Sequence, residues 1–153
     1  MTLRLINAPP SPYGRKVAIA LKEKRIAYEV QDDQPWGDET CTPEYSPLEQ
    51  LPILILESGE TVYESGFILD WLELRYPDRP LLPTPIDALV EARMLKMLGE
   101  RLMEVIHTLT FELQRPDPGK AWIERQSRKL RGAVGEIDRR IGSRRPAVDD
   151  PID

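Results

Sequence analysis

LPILILESGETVYESGFILDWLELRYP, residues 51–77, is the stretch from which the architecture can be read. Pro52 to Leu56 is a compact apolar run of the length of a buried strand. The ESGE that follows puts Gly59 where a tight turn wants positive φ. Thr61-Val62-Tyr63 then returns as a second strand, so the pair reads as a hairpin. Ser65 opens a helix that runs through Tyr76 and buries Phe67, Ile68, Trp71 and Leu72, and Pro77 stops it.

Upstream, Leu3 and Leu5 alternate with polar residues, as in a short strand. SPYGRKV, residues 11–17, begins a helix with Val17, Ala20 and Leu21 on one face and Lys22, Glu23 and Lys24 toward solvent. Ile26, Tyr28 and Val30 alternate with Ala27 and Glu29, a second strand. Residues 31–50, rich in Asp, Pro, Gly and Thr, read as loop with room for one short helical turn. Strand, helix, strand, hairpin, helix implies a small mixed sheet: the crossover makes its two strands parallel and the hairpin adds antiparallel ones.

PDRPLLPTP, residues 77–85, carries four prolines in nine positions and reads as a stiff linker. Beyond it the period is helical only. Val90, Met94, Met97, Leu98, Leu102, Val105, Ile106 and Leu109 form one apolar face, RPDPG (115–119) breaks the helix, and Trp122, Leu130, Val134, Ile137 and Ile141 mark the buried side of the next. That helix ends near Gly142, a candidate C-cap, and the tail RRPAVDDPID shows no periodicity. Two helices with such broad stripes need more cover, so a helical domain that continues beyond this chain, or a second subunit, is expected.

The 153 residues carry a net charge of −5, which argues against a nucleic-acid partner, whose phosphates would be repelled. No apolar run approaches the length that crosses a bilayer, and the N-terminus lacks the apolar core of a secretory signal. One cysteine, Cys41, and one histidine, His107, cannot build a zinc site or an internal disulfide, so no metal is expected and the reading is cytoplasmic. Cys41 has no second cysteine to resolve a disulfide, and His107 reads as a packed or interface residue. Residues 120–145 hold nine Lys/Arg against three Asp/Glu, read as a solvated helix face.

Several residues have two readings. Serine at N-cap with proline at N1 is a favoured helix start, so Ser11 before Pro12 needs no further role. A capping hydroxyl can nevertheless still donate its own proton to an anion. Ser65 is also a plausible N-cap, and a helix N-terminus is a carboxylate site. Glu64 alone would be an exposed strand-end charge, and Pro52 an ordinary strand-initiating proline.

SPYGRKV, EYSPLEQLPIL (44–54) and YESGFILDWLELRYP (63–77), in this order before a proline linker, resemble the glutathione S-transferases. The likeness is to bacterial members with serine in an S-P-[FY]-x-R-K context. It implies an α/β thioredoxin-like domain over residues 1–78, a linker over 79–85, and the first helices of an incomplete all-α domain over 86–153. It also implies a homodimer that joins glutathione, as co-substrate, to an electrophilic small molecule held against Met94, Met97 or their neighbours. Ser11 would face the glutathione sulfur. Leu51, before a cis Pro52, would bind the cysteinyl part through its backbone, and Glu64 with Ser65 would hold the γ-glutamyl group. Gln50 stands where the family often has a lysine for the glycyl carboxylate, in S-P-L-E-Q-L-P against N-P-x-G-K-[VI]-P. Tyr13 is an alternative donor to the sulfur, and Arg15 and Lys16 would add positive potential, although solvated surface suits them as well.

The chemistry is within reach of these groups. Bringing a thiol from a pKa of about 8.5 to about 6.5 takes roughly 2.7 kcal/mol. A helix N-terminus supplies about 0.3–1 kcal/mol and a charge-assisted hydrogen bond about 1.5–3 kcal/mol. No general base is required. A rival reading is a non-catalytic binding or regulatory relative, favoured by Glu49-Gln50. A third is an isomerase or reductive enzyme of the same superfamily, and serine rather than cysteine at position 11 disfavours the reductive branch.

Overall fold

Alternating apolar residues near the N-terminus become β1 (Leu3–Asn7), followed by α1 (Pro12–Glu23) and β2 (Tyr28–Asp32). The acidic loop contains one short helix, α2 (Thr42–Tyr45). The hairpin is β3 (Ile53–Ile55) and β4 (Thr61–Tyr63), turned at Gly59 with φ 88°, and it leads into α3 (Ser65–Arg75). The computed structural model describes residues 2–142, so the tail from Arg144 lies outside the described residues. The chain divides into two units between Pro83 and Thr84.

In the first unit the sheet order is β2-β1-β3-β4, with β1 parallel to β2 and antiparallel to β3, and β3 antiparallel to β4. The register separates two faces. Leu5, Leu54 and Val62 lie side by side and meet Val17 and Leu21 of α1 and Ile68 and Leu72 of α3. Ile6 and Ile53 point to the other face, with Tyr45 and Leu51 packed against them. Each such fully buried aliphatic side chain contributes about 1.5–3 kcal/mol.

Four expectations need correction. Phe67 is 58% exposed, because Ile68 and Leu72 take the sheet-facing side of α3 and a neighbour of Ile68 must point elsewhere. Trp71 is half-buried. Val30 is exposed on the edge strand β2. Lys24 is buried, not in solvent: its side chain is 0% exposed. Its Nζ donates to the carbonyls of Tyr76 at 2.9 Å and Arg79 at 2.8 Å, and pairs with the Glu73 carboxylate. That carboxylate also accepts the Leu81 N–H at 3.1 and 3.2 Å. All three ammonium protons are therefore placed, and residues 76–81 are tied to the C-terminal end of α1.

The end of α1 is a Schellman motif. Ile26 N–H reaches the Leu21 carbonyl at 2.9 Å and Arg25 N–H the Lys22 carbonyl at 2.8 Å, with Arg25 at φ 55° where glycine is normally found. A side chain in this left-handed conformation costs about 1–2 kcal/mol. Arg25→Gly is accordingly expected to raise stability by about 1 kcal/mol in urea unfolding, and a loss would refute the strain.

The second unit pairs α4 (Ile86–Leu113) with α5 (Lys120–Ile141). Gly119 N–H caps onto Glu112 at the turn, and Arg140 bonds Glu91 at 2.8 Å, so the helices run antiparallel. Leu98, Leu102 and Val105 face Trp122 and Gln126 across an open groove of about 420 Å³. The expected stripes are only partly covered. No residue of α4 is buried, and Val90, Met94, Met97 and Ile106 are exposed. On α5 the buried residue is Gln126, while Trp122, Val134 and Ile141 are exposed and Leu130 and Ile137 half-buried. One helix can cover only one stripe of another, and the stripes here are wider than that. Gly142 is the C-cap of α5, in right-handed conformation (φ −57°).

Candidate functional site

The register gathers the candidate residues at one end of the sheet. Ile6 stands opposite Ile53, and Ile53 opposite Tyr63. The chain leaving β1 after Asn7, the chain entering β3 through Leu51-Pro52, and the chain leaving β4 at Glu64 therefore emerge side by side. At a strand spacing of about 4.8 Å the three exits span roughly 10 Å. Ser11, Gln50, Leu51, Pro52, Glu64 and Ser65 all lie at or just beyond these exits.

Ser11 is the N-cap of α1, in extended conformation (φ −68°, ψ 117°), with Pro12 next. Its backbone N–H closes a turn onto Ala8 at 2.9 Å, and its Oγ accepts the Gly14 N–H at 3.2 Å. The hydroxyl is thus fixed as an acceptor, and its own proton is available to another group. Gly14 is buried directly against Asn7: a Cβ there would lie 1.5 Å from Asn7 Oδ1. Among the described residues that oxygen is buried without a hydrogen-bond partner. A glycine in the first turn of a helix is the signal that could have revealed this contact, since glycine costs about 1 kcal/mol there unless space demands it.

At the second exit, the Leu51-Pro52 bond is cis. Pro52 is buried, Leu51 half-buried, and Glu49 and Gln50 exposed. Glu49 has φ 50°, a left-handed conformation at the position where the motif N-P-x-G-K-[VI]-P has glycine.

At the third exit, the helix cap is Glu64 and not Ser65. The Glu64 carboxylate accepts the N–H groups of Gly66 and Phe67, both at 2.9 Å, and the Ser65 hydroxyl at 3.4 Å. Ser65 is the first helical residue and is buried. The longer side chain reaches the amides because Glu64 takes φ 69°, ψ 120°, a strained conformation of the kind that clusters at functional sites. Burial pushes the Glu64 carboxyl up, but the two amides, the Lys16 charge and the Ser65 hydroxyl outweigh it and hold its pKa below the usual carboxylate range. Lys16, read from sequence as surface, is half-buried and brings the start of α1 to bear on the start of α3.

The loop after β2 is fastened to the first exit by Asp33 N–H donating to the Asn7 carbonyl at 2.9 Å. Burial pushes the Asp33 carboxyl up, yet hydrogen bonds from Cys41, Thr40 and the Gln34 amide prevail and keep its pKa low. Burial raises the Cys41 thiol, and the Asp33 hydrogen bond and charge raise it further, so Cys41 is a poor nucleophile at neutral pH. His107 is exposed and stacks edge-on against Phe111, 4.8 Å between centroids. Among the described residues, no group of three or more His, Cys, Asp or Glu is placed to hold a metal ion, and no helix is long and apolar enough to cross a membrane.

Residues 5–80 match the family model described as the glutathione S-transferase N-terminal domain. A GST-like protein of Escherichia coli K12, YibF, is 29% identical over 115 residues, which are 74% of this chain and 56% of that one. The chain thus spans little more than half the length of that curated relative. A glutathione S-transferase structure from Methylobacterium radiotolerans, in complex with glutathione sulfonate, is 44% identical with a TM-score of 0.90, over 94% of this chain and 69% of its own. One from Methylobacillus flagellatus with GSH bound is 28% identical with a TM-score of 0.87, over 98% and 75%. A thioredoxin-like mixed sheet whose three exits carry the matching residues, together with this degree of identity over most of both chains, places the protein in the glutathione S-transferase family.

Proposed function

We propose that this chain carries the glutathione site of a serine-type transferase of the bacterial S-P-[FY]-x-R-K group, which joins glutathione to an electrophilic small molecule. The observation behind this reading is the convergence of two capped helix N-termini and the Leu51-Pro52 turn at one end of the sheet. The γ-glutamyl carboxylate would take the Ser65 hydroxyl and the first amides of α3, and its ammonium would meet the Glu64 carboxylate. The Leu51 backbone would align the cysteinyl part, and the Ser11 hydroxyl would donate to the sulfur. The thiolate then attacks the electrophilic carbon. A sulfur–carbon bond forms, and the leaving group departs with its electron pair or an unsaturated acceptor takes a proton from water. Cytoplasmic residence and a homodimer belong to the same reading. Glu49 and Gln50 support the second one, a non-catalytic binding relative.

Calorimetric titration of glutathione into wild type, Ser11→Ala and Glu64→Gln tests this. Wild type should bind with proton release at neutral pH. Glu64→Gln should bind about tenfold more weakly. In Ser11→Ala the bound thiol should titrate about one to two pH units higher, with conjugation of a chromogenic electrophile falling about 10- to 100-fold. If wild type binds no glutathione at millimolar concentration, the reading is wrong.

A further inference from the structure

Between residues 26 and 74 the chain has twelve Asp and Glu and no Lys or Arg. Two of the three exits, and the whole loop from Asp33 to Gln50, belong to this segment. The cations of the first unit lie elsewhere. Arg4 stacks over the Tyr45 ring at 5.9 Å, three residues back along β1 from Asn7, which is about 10 Å from the site end of the sheet. Lys16 acts on Glu64, Arg15 is exposed on the first turns of α1, and Lys24 is closed into its buried clasp.

Resting on the reading above, a tripeptide thiol anchored at Glu64 and Ser65 spans about 10 Å in all, so that with its middle residue on Leu51 its last residue lies about 4 Å past Leu51. Its far end then falls beside Gln50 and Glu49 and the acidic loop fastened to Asn7. A carboxylate there meets one neutral amide side chain and an exposed like charge, and the segment from 26 to 74 that supplies them holds no Lys or Arg to pair with it. A neutral end avoids that repulsion, and an ammonium turns it into attraction.

We propose that Glu49 and Gln50 set the specificity of this site, and that its preferred thiol is a γ-glutamylcysteinylglycine whose C-terminal carboxylate is blocked as an amide, best of all one ending in an amine.

The test is calorimetry on the full chain at pH 7 with three ligands: glutathione, its glycyl ethyl ester, and its glycyl amide with 1,3-diaminopropane, which ends in an ammonium. The amine-bearing amide is expected to bind about tenfold more tightly than glutathione, with the ester between them. The spread should narrow as salt is raised. Gln50→Lys should bring glutathione level with or ahead of the ester, and Glu49→Gln should remove about half the spread in log affinity. A misplaced loop would weaken all three ligands together, so the ratios report charge and not folding. Glutathione binding tenfold more tightly than its ester, or ratios that ignore Gln50→Lys, would overturn the proposal while leaving the glutathione site standing. Failure of all three ligands to bind would remove the site itself.

Discussion

Lys24→Met is expected to lower the unfolding free energy by about 3–5 kcal/mol, out of a total that for domains of this size is about 5–15 kcal/mol. The substitution keeps the aliphatic volume and removes only the ammonium. That leaves the Glu73 carboxylate, whose side chain is 21% exposed, without its counter-ion, and the carbonyls of Tyr76 and Arg79 without a donor. Removing the carboxylate as well, in Lys24→Met with Glu73→Leu, should restore part of the loss, since replacing both members of a buried pair is often neutral. It should not restore all of it, because the two carbonyls stay unpaired at about 1–3 kcal/mol each. Urea unfolding measures the stability. Amide exchange at Leu81, bonded to Glu73, reports whether residues 76–81 have come loose. A single variant within 1 kcal/mol of wild type would show that the clasp is solvated in solution.

Gly14→Ala should destabilise by about 1–3 kcal/mol, although alanine in a helix is normally worth about 1 kcal/mol over glycine. The new methyl group would overlap Asn7 Oδ1, so either Asn7 swings out or the first turn of α1 lifts off β1. Asn7→Ala by itself should be close to neutral, because the oxygen it removes is buried and unbonded. In the Asn7→Ala background, Gly14→Ala should then stabilise. The reversal of sign, a coupling of about 2–4 kcal/mol in a double-mutant cycle, is the diagnostic result. An equal effect in both backgrounds would mean that the contact is not tight. Because Ser11 caps through the Gly14 amide, Gly14→Ala alone should also disturb that cap.

Periodicity made most of the fold legible. Leu3 and Leu5, Ile53 to Ile55 and Val62 announce a sheet with two faces, Gly59 the hairpin, and Ser11-Pro12 and Pro77 the ends of helices. The family resemblance supplied the cis bond at Leu51-Pro52, which residue type alone does not favour. What stayed hidden depends on partners far apart in sequence. Lys24 reads as solvated from its helical neighbours, and only the return of residues 73–81 to the end of α1 closes a cage around it. Gln126 is buried and Trp122 exposed because burial on α5 follows the path of α4, which hydropathy does not encode. Residue type puts the N-cap of α3 one residue late, at Ser65, since serine is the commoner cap and Glu64 serves only through a strained backbone that lets its longer side chain reach the amides.

That cap has a consequence for ligand measurements. The Glu64 carboxylate already sits on the Gly66 and Phe67 amides, tethered to them by its own backbone. Any incoming carboxylate has to displace a resident rival held at high effective concentration, so the observed dissociation constant is the intrinsic one divided by the fraction of time the seat is empty. A carboxylate that bound at the start of α3 would exchange with the one already there, and the helix would remain capped throughout.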